Sequence, residues 1–411
     1  MPQAAPHAQP LSAQPGLGEP ERTVPGTPAW LRTRNDRAAL QLLLDHGPLT
    51  RNRLRELSGL SKPTASQMVQ RLESAELISA VGEASAGRGP NAATYAVRTD
   101  AALGVAVDID ARWLRACIVD PTGAPRPIAE IALGSGRRSA SEDVRRAVDE
   151  ACRAAGIPEG SIDAVCVGVQ GAIDPRTDAL RFADTLPGWP TTGVQQHLED
   201  DLGLAVTVEN DVNLAAIAER SSGAGAGLGS FALLWLGEGL GLAMDLGGTV
   251  HRGVSGGAGE IGYLPVPRTA TDLDPDAVEL QDLIGGIQVA RMTEAAGGDG
   301  SSYHAAVASL EADAAVRERV VAQLAPRVAA GIVPVLALLD PERVVLGGST
   351  GAVGGPALAD AVAAAIRETT QWDPDVATTG VRRHPVLSGA RERLVRTLRA
   401  ALFDRLDRIA L

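Results

Sequence analysis

Two stretches of the chain share one build: GVAVDIDARWLRACIVD at 104–120 and FALLWLGEGLGLAMDL at 231–246 each read as an apolar strand, a turn and a second strand. Each is followed by segments in which apolar residues recur at helical spacing, so the period switches from 2 to 3.6 twice along the chain. Strands are expected near 103–109, 114–120, 163–169, 205–208, 231–236, 240–246 and 343–347. Helices are expected near 141–155, 211–220, 277–291, 315–339, 356–370 and 389–409. A strand pair at the start of each half, backed by helices, implies two α/β lobes with a cleft between them. The run SGAGAGLG at 222–229 suits the connection between the lobes.

Ahead of this lies a segment of different character. Residues 1–29 are rich in Pro, Ala, Gln and Gly with almost nothing to bury, and are expected to form a disordered tail. From Trp30 the spacing of Ala39, Leu40, Leu43 and Leu44 predicts a helix stopped at Gly47-Pro48. TRNRLRELSG predicts a second helix ending at Gly59. A third follows in LSKPTASQMVQRLESAEL, with Ser61 as N-cap, Pro63 in the first turn and Ala65, Met68, Val69 and Leu72 on one face. Two short strands around AGRGP complete a winged helix-turn-helix over 30–98.

With its apolar face inward, the third helix turns Pro63, Gln67 and Gln70 outward, flanked by Thr64, Ser66 and Arg71. These are the residue types that read base edges and phosphates in a major groove, a glutamine amide bonding adenine bidentately. Ser61, Lys62, Thr64, Ser66, Gln67, Gln70, Arg71 and, in the wing, Arg88 are therefore the candidate DNA contacts. Charge is distributed to match. Residues 30–98 hold ten Lys or Arg against six Asp or Glu, net +4, while 99–411 hold 27 against 42, net −15. A basic head on an acidic body is the arrangement of a nucleic-acid reader with a separate sensing domain.

A chain of 411 residues exceeds one core, and 45% hydrophobic residues supply enough to fill several. Cys117, Cys152 and Cys166 are scattered with no CxxC pair, which points to reduced core thiols and away from a cysteine zinc site. With no signal-like or membrane-length apolar run free of Gly or charge, a cytoplasmic protein without a membrane partner is expected.

Several motifs bear on the cleft. In VTVENDVNLAAIAE a strand delivers Glu209, Asn210 and Asp211 to a helix start, where the carboxylate can take a hydroxyl proton and the amide bond a neighbouring hydroxyl; caps of this type are also common. Gly237, Gly239 and Gly241 form a turn between strands, and GGAGE at 256–260 brings Glu260 in on a tight loop. The order of the first hairpin, GVQGAIDP, LPGW, ENDVN, GEGLGL, GGAGEIG and DPERVVLGGS resembles the ROK family of repressors, open reading frames and kinases, over residues 100–411. With the helix-turn-helix in front, the chain is similar to the family's transcriptional regulators. The resemblance implies an actin-like sugar-kinase fold in two lobes, so the expected class is α/β: an N-terminal winged helix-turn-helix, then a ROK domain at 99–411 that binds effector and oligomerises.

In the family's kinases the first hairpin carries Asp-x-Gly-Gly-Thr and grips ATP phosphates, the Asp of the Asn-Asp pair is the base, and Gly-Glu-x-Gly-His binds sugar and, through His, a structural zinc. Carried over, the resemblance makes Asn210, Asp211 and Glu260 sugar-site residues, with Tyr263 in place of the His and Gln281 in place of a later Glu. The cysteine-rich zinc loop is missing and Thr185 replaces the Asn before Leu-Pro-Gly-Trp, so neither metal nor cofactor is expected and a plain hexose fits poorly. Asp110-Ala111-Arg112 stands where the kinases have Gly-Gly-Thr. A carboxylate about 4 Å from a phosphate at an effective dielectric near 20 costs about 4 kcal/mol, roughly a thousandfold in affinity. Asp211 is then a vestigial base. The expected function is a repressor that binds a double-stranded operator as a homodimer or homotetramer and answers to a sugar or sugar derivative. An active sugar kinase that also binds DNA is the alternative, and a ligand-independent repressor a third.

Overall fold

The computed structural model describes residues 27–84, 92–134, 138–183 and 186–409. The chain separates into two compact units, one of Met1–Arg98 with Leu402–Leu411 and the other of Thr99–Ala401.

In the smaller unit α1 (Pro28–His46) starts earlier than the expected tail end at residue 29, because the Thr27 hydroxyl accepts from the Trp30 amide at 3.2 Å and Pro28 occupies the first turn. A Pro-rich context hid that cap in the sequence. β1 (Leu49–Thr50), α2 (Arg51–Ser58), α3 (Lys62–Ser74), β2 (Ile78–Ala84) and β3 (Ala92–Val97) follow, the strands ordered β1-β3-β2. Gly59, at φ 68°, makes the left-handed turn between α2 and α3. Leu40, Leu54, Met68, Val69 and Leu72 are wholly buried, each contributing about 1.5–3 kcal/mol. The wing tip with Arg88 lies outside the described residues.

The larger unit contains two sheets of the same topology. The first is built from β4 (Gly104–Ile109), β5 (Trp113–Val119), β6 (Ile128–Ala132), β7 (Ala164–Val169) and β10 (Ala205–Asn210), ordered β10-β7-β4-β5-β6. A short pair, β8 (Ala172–Asp174) and β9 (Ala179–Arg181), stands beside it. α4 (Ala140–Ala155), α5 (Val194–Leu202) and α6 (Asp211–Ser222) complete this lobe. The second sheet runs β13-β12-β11-β14-β15, from β11 (Ser230–Leu236), β12 (Leu240–Leu246), β13 (Thr249–Val250), β14 (Val344–Gly347) and β15 (Val376–Thr378). In both, three antiparallel strands lead and two parallel strands extend the sheet from the first of them. Its helices are α7 (Leu280–Ile284), α8 (Gly286–Ala295), α9 (Tyr303–Ala312), α10 (Ala314–Leu339) and α11 (Gly348–Thr369).

β1, β6, β8, β9, β13, β15, α5 and α9 escaped the sequence reading, being short or lacking clean periodicity. Among the described residues α10 is the one helix long and apolar enough to cross a membrane, and 56% of that stretch is buried. It packs into the second lobe's core through Val320, Leu324, Val328 and Ile332. The inter-lobe run is tied down: buried Glu219 accepts from the amides of Ala224, Gly380 and Val381 at 2.6, 3.1 and 3.0 Å.

α12 (Pro385–Ile409) follows the second sheet in sequence but packs on the first lobe. A Cβ at Gly389 would lie only 1.8 Å from the Leu214 carbonyl, so α12 seats there only on glycine, and one at Gly168 would lie 2.6 Å from the Val386 side chain, which would have to shift. Its final residues, Leu402 onward, belong to the smaller unit, where Asp407 pairs with Arg37 at 2.6 Å and Phe403 lies under the same guanidinium. A domain running to 411 was expected; the last turns of this helix instead bury their leucines with the head.

Candidate DNA-reading helix and ligand cleft

On α3 the local chemistry sets the geometry. The Ser61 hydroxyl accepts from the Thr64 amide at 3.4 Å and lies 2.8 Å from the Thr64 hydroxyl, so both are engaged in capping. Lys62, Pro63, Gln67 and Gln70 are exposed, and Thr64 and Ser66 partly so. Arg71, expected at a phosphate, is drawn inward: its Nε donates to Asp36 at 2.8 Å and its Nη2 lies 2.5 Å from the other carboxylate oxygen. Asp36 is 3% exposed, and a buried carboxylate needs that fork for its charge to be tolerated. Arg71 thus ties α3 to α1, and Gln67 and Gln70 border a groove of about 560 Å³ next to that pair.

In the larger unit the cleft has two adjoining chambers that share Gln170, Asp211, Trp235 and Glu238. The hairpin chamber, about 360 Å³, runs from Asp108 and Asp110 to Ser349 at the start of α11 and to His384. At the β4–β5 turn the Asp110 carboxylate accepts from the amides of Arg112 and Trp113 at 2.7 and 2.6 Å. Its other oxygen takes Arg115 Nη1 at 3.1 Å, and the same nitrogen reaches Asp108 at 3.3 Å. Both turn donors are therefore satisfied by the chain's own carboxylate. Arg112 is exposed. Burial holds Asp108 up at about 6, against the opposing pull of Arg115.

The second chamber, about 270 Å³, is near the lower limit for small-molecule sites, about 300 Å³. It is walled by Phe182, Asn210, Glu260, Tyr263 and the glycines of both motifs. Gly256 and Gly259 have φ of 79° and 96°, and a Cβ on either would lie 2.0 or 1.9 Å from a carbonyl oxygen, of Ile173 and Leu242 respectively. This close fit carries Glu260 into the chamber. Burial raises the Glu260 carboxyl. Asp211 is pushed up to about 7, chiefly by burial and then by the charges of Asp108 and Glu260, although its carboxylate accepts from the Val212 amide at 2.8 Å.

Two sequence candidates are occupied differently from expectation. Asn210 caps α6, its Oδ1 accepting from Asn213 N at 2.9 Å and its Nδ2 donating to the Gly171 carbonyl at 3.0 Å. Gln281 clamps the glycine turn, accepting from Leu240 N at 2.7 Å and donating to the Glu238 carbonyl at 3.1 Å. Both form the wall more than they present donors to a ligand. Tyr263 stands at the rim with its ring centroid 5.1 Å from that of Phe182, and both are about half exposed. Phe182, Trp235 and Glu238 were missed; the polar residue inside GEGLGL is the one signal that could have marked Glu238. Thr185 lies outside the described residues, and Trp189 is buried with its indole N–H on Asp143 at 3.2 Å. Among the described residues no group of three His, Cys, Asp or Glu side chains is placed to hold a metal ion.

Residues 105–384 match the ROK family and residues 32–79 the winged helix-turn-helix DNA-binding family. A putative xylose repressor of Caldicellulosiruptor sp. is 25% identical over 59% of this chain and 61% of its own length. A beta-glucoside kinase of Listeria monocytogenes is 26% identical over 46% and 64%. The chain thus spans a little under two thirds of these curated relatives. The crystal structure of a ROK family transcriptional regulator, a homologue of the E. coli MLC protein, has the same fold, with TM-score 0.65 at 19% identity over 92% of this chain and 99% of that one.

Proposed function

The chain belongs to the ROK family, and on that premise we propose that it is a DNA-binding transcriptional regulator, a repressor whose cleft holds a small polyhydroxy ligand and transfers no phosphate. The observation that carries this reading is the pair of turn amides, Arg112 and Trp113, closed on the Asp110 carboxylate. Phosphoryl transfer depends on gripping the phosphate as well as on a base, and here the grip is self-satisfied. Asp211 and Glu260 remain as acceptors for hydroxyls in the second chamber. Binding there favours one lobe arrangement and so biases a homodimer or homotetramer between operator-bound and free states. Gln67 and Gln70 read base edges, while Lys62 and Arg88 meet phosphates.

A duplex selected from random sequence by the full-length protein, titrated by fluorescence anisotropy, tests the reading. Nanomolar affinity is expected, falling steeply with salt. Gln67→Ala should cost about 1–3 kcal/mol on the selected duplex and leave random DNA unchanged. Equal binding to selected and random duplexes would sink the regulator reading. One observation favours a kinase: a recessed Asp211 near neutral pKa is suited to a general base. ATP turnover that needs both a sugar and Asp211 would establish that reading instead.

A further inference from the structure

A third pocket in the larger unit, about 290 Å³, is lined by the far end of α6, by β13 and by α12. Ile217 and Arg220 lie six and nine residues along α6 from Asp211, about 9 and 14 Å by helical rise, so this is a place apart from the cleft. Its lining brings together Arg220, Arg252, Arg393, Arg396, Asp245 and Thr249. Arg220 is consumed by the buried Asp245, to which its Nε donates at 3.1 Å, and by the Leu228 carbonyl. Arg252 and Arg393 converge on one buried oxygen, Glu209 Oε2, at 2.7 and 3.0 Å. Arg393 reaches it with Nη1 and has no second ion pair among the described residues, and Arg396 is exposed with none.

Four guanidinium groups thus face two carboxylates, Asp245 and Glu209, leaving a surplus of two positive charges in a concave site. The surplus matches the charge of a phosphate group, about −1.5 to −2 at neutral pH. Guanidinium forks suit its oxygens, and the Thr249 hydroxyl adds a neutral donor. We propose that this pocket, with Arg396 and Arg393 as its principal donors, binds a phosphate-class oxyanion, either free phosphate or the phosphate of a small metabolite. The site does not depend on what the cleft binds. It does connect to it, because an anion drawing Arg393 away would relax Glu209, whose other oxygen accepts from Asn210 N at 3.3 Å and from Asn213 Nδ2 at 3.2 Å beside Asp211.

The test is thermal shift and calorimetry on the full-length protein with inorganic phosphate against chloride at equal ionic strength, without DNA. Phosphate should raise Tm in the wild type. Arg396→Glu should weaken phosphate binding by about tenfold or more, and Arg396→Lys should keep most of it. Should Arg396→Glu itself lower Tm in chloride, Arg396→Ala makes the same comparison. Glucose 6-phosphate binding equal to or tighter than phosphate, and insensitive to Asp211→Ala, identifies a phosphorylated metabolite as a suitable source. No response beyond chloride, the same response in Arg396→Glu, or a response lost in Asp211→Ala would each overturn the proposal. A cleft that fails to bind any polyol would leave these outcomes unaffected.

Discussion

In the hairpin chamber the amides of Arg112 and Trp113 donate to Asp110, and Arg115 bridges Asp110 and Asp108, so the turn donors are taken up by the chain's own carboxylates. In the neighbouring chamber Asp211 and Glu260 are recessed, their carboxyls raised, and no cation pairs with either among the described residues. The two share side walls yet treat charge in opposite ways. On the proposed reading, the first chamber supplies its own ligand, whereas the second leaves partly buried carboxylates for a ligand to satisfy.

The sharpest way to break this comparison is Asp211→Ala. It should abolish the thermal shift given by whichever polyol stabilises the wild type, with Mg-ATP giving little shift in either protein; a polyol response that survives would move the ligand elsewhere. Next in size is Asp110→Gly, which frees both turn amides and removes a negative charge. Mg-ATP affinity should rise at least about tenfold, less than the roughly thousandfold expected of an unpaired carboxylate because Arg115 already offsets part of it. No gain would mean that the turn is not what excludes nucleotide.

The pH dependence should be about as large. A hydroxyl donor prefers the ionised Asp211, so polyol affinity measured by calorimetry should rise about tenfold from pH 6 to pH 8, through a folded-state value of about 7, and the rise should vanish in Asp211→Asn. Stability runs the other way. The raised carboxyl lets the folded state hold a proton that the unfolded chain releases, so this group does not oppose folding below about pH 4, and its burial weakens the fold progressively up to about pH 7. The smallest effect is expected from Gln281→Ala, which removes two clamps on the glycine turn and should cost about 1–2 kcal/mol in denaturant unfolding with only a few-fold loss of polyol affinity. A complete loss of binding would make Gln281 a direct ligand contact, as its place in the family motif first suggested.

Local periodicity was enough to define α3: Ala65, Met68, Val69 and Leu72 are buried and Gln67 and Gln70 exposed, because helical geometry fixes which residues share a face without reference to anything distant. The same holds for the two hairpins, whose alternation and turn residues are encoded within a few positions, and for Gly256 and Gly259, whose backbone shape is a local demand. Family motifs added the cleft and Asp211. What sequence left open were the partners of charged and amide side chains. Arg71 and Asp36 are 35 residues apart, Gln281 and Leu240 are 41, and α12 meets β7 of the first sheet at Gly168 and α6 through its own Gly389. A long polar side chain has several partners within reach and takes the one that burial makes costliest to leave unpaired, and that choice exists only once distant segments have packed.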